Sequence, residues 1–129
     1  MNREIWEFLV KGSDRVIQTW FREEIISKRD QAKLDVALNR LRSLDFQLVG
    51  PKLLAGPLRQ GGKVYKLRIR CENRELRPML CRGPMAPSEY TLLLGALEVG
   101  GRLKPQDAVL RASSHREELL ANPHWRLPF

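Results

Sequence analysis

The chain changes its hydrophobic period several times. In Glu4–Val10 (EIWEFLV) apolar residues fall at short, partly alternating intervals, which predicts a strand that ends at the turn Lys11-Gly12-Ser13-Asp14. From about Asp14 to Lys28 the apolar positions Val16, Ile17, Trp20, Phe21, Ile25 and Ile26 fit one face of a helix. A second helical stripe follows at Leu34, Ala37, Leu38, Leu41 and Leu44, with Asp30 as its expected N-cap, and the spacing suggests an antiparallel helix pair. Gly50-Pro51, Gly56-Pro57 and Gly61-Gly62 then punctuate a loop.

Beyond the loop the period becomes two. KVYKLRIRC (residues 63–71) sends Tyr65, Leu67, Ile69 and Cys71 to one side and Lys66, Arg68 and Arg70 to the other. A turn at Glu72-Asn73 leads to a return strand from Arg74 to about Cys81, and Arg82–Pro87 is a further loop. Glu89–Leu97 (EYTLLLGAL) is nearly continuous in apolar residues and predicts a central strand. A last helix should begin near Pro105, reach about Leu120 and bury Ala108, Val109, Ala112, Leu119 and Leu120; the tail ANPHWRLPF is a turn tucked onto the body. The order is β-α-α-β-β-β-α. It describes an α+β domain spanning 1–129, with two N-terminal helices packed on a mostly antiparallel sheet and a C-terminal helix.

A two-residue turn at 72–73 fixes the hairpin register. Ile69 then faces Leu76 and Leu67 faces Pro78, while Arg70 faces Glu75, Arg68 faces Arg77 and Lys66 faces Met79. Like charges opposite one another cost up to about 1 kcal/mol, and Arg68 and Arg77 have no acid opposite them. Guanidinium forks match phosphate oxygens, so this face is a candidate anion site. The plain alternative is a solvated strand face whose charges discourage aggregation. Pro78 is unusual in a central strand and suggests a bulge or an edge; a turn of odd length would move Arg77 to the other side.

Charge sharpens this picture. The 129 residues hold 23 Lys+Arg against 15 Asp+Glu, a net +8, which points to a polyanionic partner. With 43% hydrophobic and 29% charged residues the composition is otherwise ordinary for a globular chain. Cys71 and Cys81, with His115 and His124, have no sensible zinc spacing, so neither a metal nor a cofactor is expected. No run nears the ~18 apolar residues of a membrane span, and the N-terminus lacks signal-peptide character; a cytoplasmic location with no membrane contact is expected.

The succession LNRLRSLDFQLVGPKLL, GGKVYKLRIR, RELRPML, TLLLGALE and LKPQDAVLRA resembles the RelE/HigB-like toxins of type II toxin–antitoxin systems, their phage-derived branch most of all, over about residues 34–112. That resemblance implies a metal-independent endoribonuclease (an mRNA interferase) that cuts mRNA in the ribosome and is silenced by a cognate antitoxin. By position the family's strand cations fall on Lys66, Arg68 and Arg70, and its return-strand arginine on Arg77. Lys66, Arg68 and Arg77 would serve cleavage, in which a ribose 2′-OH attacks the adjacent phosphate: the arginines hold the phosphate and Lys66 moves a proton. Arg70, Arg82, Arg102 and Lys104 would contact RNA. The family's aromatic and lysine pair after the last strand are missing; Arg102 and Lys104 follow a few positions later as substitutes. Glu98 and His124 are the remaining acid/base candidates, Glu98 reading first as an ion-pair partner of Arg70 or Arg77 and His124 as a packed surface residue. The competing reading is a non-catalytic module that binds RNA, the ribosome or a partner protein on the same fold. Self-association stays open.

Overall fold

A computed structural model of the chain describes residues 4–59 and 62–129; Gly61 of the expected Gly61-Gly62 turn signal lies outside them. The elements are β1 (Ile5–Val10), β2 (Asp14–Arg15), α1 (Val16–Glu23), α2 (Lys28–Ser43), a 3-10 turn at Phe46–Leu48, β3 (Leu54–Ala55), β4 (Tyr65–Leu67), β5 (Ile69–Arg70), β6 (Glu75–Leu76), β7 (Met79–Arg82), β8 (Tyr90–Leu94), β9 (Leu97–Val99), β10 (Arg102–Lys104), α3 (Ala108–Ala121) and β11 (Arg126–Pro128). The class is α+β, with three α-helices and two sheets among the described residues.

One sheet runs β11-β1-β8-β7-β4-β3, with β2 also on β1; the other runs β10-β9-β6-β5. Among the described residues all pairings are antiparallel except one: β1 lies parallel to β8, Glu7 beside Leu92. β8 is buried at all five positions, which fits its continuous apolar sequence and its central place. The predicted hairpin register is present: Lys66 pairs with Met79, Ile69 with Leu76 and Arg70 with Glu75. Pro78, which has no N–H to give, sits in the gap between β6 and β7, where the return strand passes from one sheet to the other.

The structure departs from the sequence expectation at element ends. α1 stops at Glu23 because Ile25 takes a left-handed backbone (φ 51°) and the Ile26 N–H closes on the Phe21 carbonyl at 2.9 Å, a six-residue cap. That turns Ile25 out to 83% exposure instead of into the core. α2 is capped by Ser27, whose Oγ accepts from the Asp30 N–H at 3.1 Å; Asp30 lies inside the first turn, where its charge suits the helix dipole. The helices form no paired unit of their own: α1 packs on β1 and β8, and α2 on β5. α3 begins at Ala108, since Pro105–Asp107 make the turn out of β10, and Leu120 is exposed. Gly100 and Gly101, both at positive φ, close a β9–β10 hairpin that the sequence reading lacked, and the tail is a strand paired to β1.

The core is continuous from α1 through β8 to α3. Cys81 lies within it, unbonded, and burial pushes its thiol up to about 11 despite the opposing charges of Arg116 and Arg126. The folded state therefore keeps this thiol neutral while the unfolded chain ionises near the ordinary 9.0. Its contribution is complete below pH 9 and is lost as pH rises towards 11. Urea titrations across that window should show a decline steeper than in Cys81→Ala by roughly 2–3 kcal/mol; parallel curves would contradict this.

Candidate nucleic-acid interface

The strand cations do not form one open row. Arg77 is 3% exposed, and its guanidinium is enclosed by two carboxylates: it donates to Glu75 Oε2 and lies 3.5 Å from Glu98 Oε1. Its expected lack of acid neighbours is thus corrected. Glu75 and Glu98 are register partners in adjacent strands, so β6 and β9 present both acids beside Arg77. Burial pushes the Glu75 carboxyl up, but Arg77, the hydrogen bond with Glu98, and Arg70 outweigh it and hold the carboxyl below its ordinary range. Glu98 has the ion-pair position anticipated for it. Arg70 stays 3.5 Å from Glu75 on a side chain that is almost wholly exposed.

The other candidates are dispersed by the sheet order. Arg102 and Lys104 lie on β10, the edge opposite β5, so three strand spacings (about 14 Å) separate them from Arg70. Lys104 is also 3.2 Å from Glu24. Arg82 stacks 4.0 Å above the Phe46 ring and donates to the Pro87 carbonyl, which makes it a brace for the loop after β7. Lys66 is half-buried in β4 of the larger sheet. His124 is exposed in the turn after α3.

What the fold does bring together is a groove of about 360 Å³ between α2 and the β4–β5 strand, lined by Lys33, Arg40, Arg68 and Arg70 over an aliphatic floor of Val36, Ala37, Leu53 and Ile69. No acid lines it. Lys33 Nζ reaches the Arg70 carbonyl at 3.4 Å and Arg68 Nη1 the Pro51 carbonyl at 3.5 Å, long contacts that leave most donors of both heads available. No family model, curated protein or solved structure matches the chain. The site is therefore read from its own residues.

Lys33 and Arg40 are the residues that strand-centred reasoning missed. The signal was present: Lys33, Val36, Ala37 and Arg40 are spaced i, i+3, i+4, i+7, one stripe beside the buried row Leu34, Leu38 and Leu41. A helix stripe that mixes cations with small apolar residues and borders the core is placed to form one wall of a groove. Chemically, four cations over an aliphatic floor can hold several phosphates and pack against ribose and base edges. They offer no positioned general base.

Proposed function

We propose that the chain binds single-stranded RNA through the groove between α2 and the β4–β5 strand. The observation that carries this reading is the convergence of Lys33, Arg40, Arg68 and Arg70, from a helix and a strand, around one acid-free groove. Each cation that meets a phosphate releases counterions, and single strands give a salt slope of about −0.7 per contact. Four contacts amount to a slope near −3. Without an aromatic platform in the lining, affinity comes from the backbone and is tolerant of sequence within the groove.

Fluorescence anisotropy with a labelled 12-nucleotide RNA across a salt series tests this. Arg68→Ala/Arg70→Ala should weaken binding by about a hundredfold, roughly tenfold per charged contact, and flatten the slope by more than one unit. Binding that ignores salt, or a double variant that binds like wild type, would sink the groove.

A second reading, a RelE/HigB-like toxin that cleaves mRNA at the ribosome in the cytoplasm and is silenced by a cognate antitoxin, is favoured by one observation. The hairpin has the register that this resemblance needs, with Lys66, Arg68 and Arg70 at alternate positions of one chain segment. The enclosure of Arg77 by Glu75 and Glu98 speaks against it, because that guanidinium must leave two carboxylates before it can meet a phosphate. Inducible expression in bacteria with mapping of new 5′ ends separates the two. Growth arrest with cuts inside translated regions, both abolished in Lys66→Ala/Arg68→Ala, supports the nuclease; intact transcripts beside salt-dependent RNA binding support the binding module.

A further inference from the structure

The only parallel strand pair among the described residues, β1 and β8, ends in a cavity of about 380 Å³. Val10 closes β1 there and Leu94 and Gly95 close β8, while α1 and α3 wall the sides. Open sheets place ligands beyond the carboxyl ends of parallel strands, and this volume lies within the usual range for small-molecule sites.

The polar groups around this cavity are unlike those of the basic groove. Glu23 and Arg111, both exposed, line it, and neither has an ion-pair partner among the described residues. Lys104 and Glu24 pair with each other at 3.2 Å across the rim. His115 donates from Nδ1 to the Leu93 carbonyl at 2.7 Å, which in the Nδ1–H tautomer leaves Nε2 as an acceptor. The ring is held in place against Phe8, centroids 4.8 Å apart. Trp20, 92% buried by its 8% exposure, also lines the cavity, and its indole N–H has no acceptor.

We propose that this cavity is a nucleobase pocket selective for guanine, an inference that rests on the RNA-binding reading and gives it a base preference. A phosphate offers only acceptors and is opposed by the carboxylates here. A guanine offers both kinds of group at once. Its N1–H and N2–H₂ donors match the two oxygens of Glu23, and its O6 and N7 acceptors match the Arg111 fork. Adenine and cytosine supply one exocyclic amine and uracil one ring N–H between two carbonyls, so none offers two adjacent donors to the carboxylate together with a pair of acceptors to the guanidinium. The His115 Nε2 accepts from a ribose hydroxyl, and Trp20 contributes its ring to the cavity wall. An extruded RNA base is read in this manner, by its edge inside a pocket of the protein.

Equilibrium dialysis of the full chain against guanosine, inosine, adenosine, cytidine and uridine tests the pocket. Guanosine should bind saturably. Inosine, which lacks the N2 amine, should bind about tenfold more weakly, and the other three should show no saturable binding. Glu23→Gln should lose guanosine while its affinity for the 12-nucleotide RNA keeps the wild-type salt slope; Arg68→Ala/Arg70→Ala should do the reverse. Equal uptake of all five nucleosides, or none of guanosine, overturns the pocket. If RNA binding is absent while guanosine binds selectively, the groove reading falls and the guanine site stands.

Discussion

Glu7→Ala should lower the free energy of unfolding by about 3–5 kcal/mol, the largest loss expected from any single side chain outside the apolar core. Glu7 sits in the middle of β1 with no exposure, yet it is a carboxylate. Its Oε2 accepts from the Ile17 and Gln18 N–H groups at 2.7 and 2.9 Å, and its Oε1 takes the Arg15 Nε at 2.7 Å. Arg15 precedes α1 without a side-chain cap of its own, so Glu7 satisfies the orphan donors of that helix from a neighbouring strand. Alanine leaves the buried Ile17 N–H and the part-buried Gln18 N–H unmatched at once, and Arg15 keeps only its bond to the Pro128 carbonyl. Glu7→Gln keeps an acceptor but loses the charge and should fall between the two. Urea melts followed by far-ultraviolet circular dichroism measure both. A loss below about 1 kcal/mol in Glu7→Ala would show that water replaces the carboxylate and that α1 does not depend on it.

Gly95→Ala is expected to be nearly as damaging, for a steric reason. Gly95 follows β8 under the indole of Trp20, and a Cβ at that position would overlap Cγ and Cδ2 of the ring. Trp20 is buried between α1 and the sheet, so it cannot rotate away without opening the core. Over-packing of this kind costs about 1–3 kcal/mol and more where the neighbour is rigid; here both neighbours, ring and backbone, are fixed. The thermal midpoint should drop by about 10 °C or more for a domain of this size. A second change, Trp20→Leu, removes the clash, and the double variant should be less unstable than the sum of the two single ones. Additive losses would mean that the ring moves aside. The same glycine admits Trp20 to the cavity floor, so stability and the guanine site share this contact.

How far the sequence foretold these features depends on the range over which each is determined. The hairpin register was legible because it is local: Leu67, Ile69 and Leu76 alternate with charged residues, and a one-residue slip would have exposed all three. The apolar stripes of α1 and α2 were legible for the same reason. Ile25 was not, since a β-branched residue at positive φ is rare and helical periodicity alone carries the stripe through it. The parallel partnership of β1 with β8 joins segments some eighty residues apart and has no local signature, and neither has the return of the tail to β1. Gly100-Gly101 between apolar stretches did carry a hairpin signal, and the sequence reading placed no turn there.

The candidate site was legible in composition and wrong in arrangement. Arg68 and Arg70 belong to the groove as strand cations. Arg77 does not, because the strand crosses between sheets at Pro78 and brings Glu98 of β9 next to it, a contact that depends on the second sheet. Glu7 shows the converse. A glutamate within an apolar strand reads as an edge position until the start of α1 is seen above it.

The position of β1 has a consequence for the order of synthesis. β1 is made well before the two long-range strands that flank it: β8 follows from Tyr90 onward and β11 only at Arg126–Pro128. At translation speeds of about 5–20 residues per second, the interval between β1 and β11 is roughly 6–24 s. Until β8 is made, roughly 4–16 s after β1 at the same speeds, the nascent chain carries Ile5 and Phe8 with only the short β2 beside β1, at Leu9 and Val10. Chaperones that hold extended apolar segments have that window in which to act, and a message truncated before Arg126 yields a product with β1 exposed as an open edge. Such a product should be cleared or should aggregate, even though every residue of the groove has already been made.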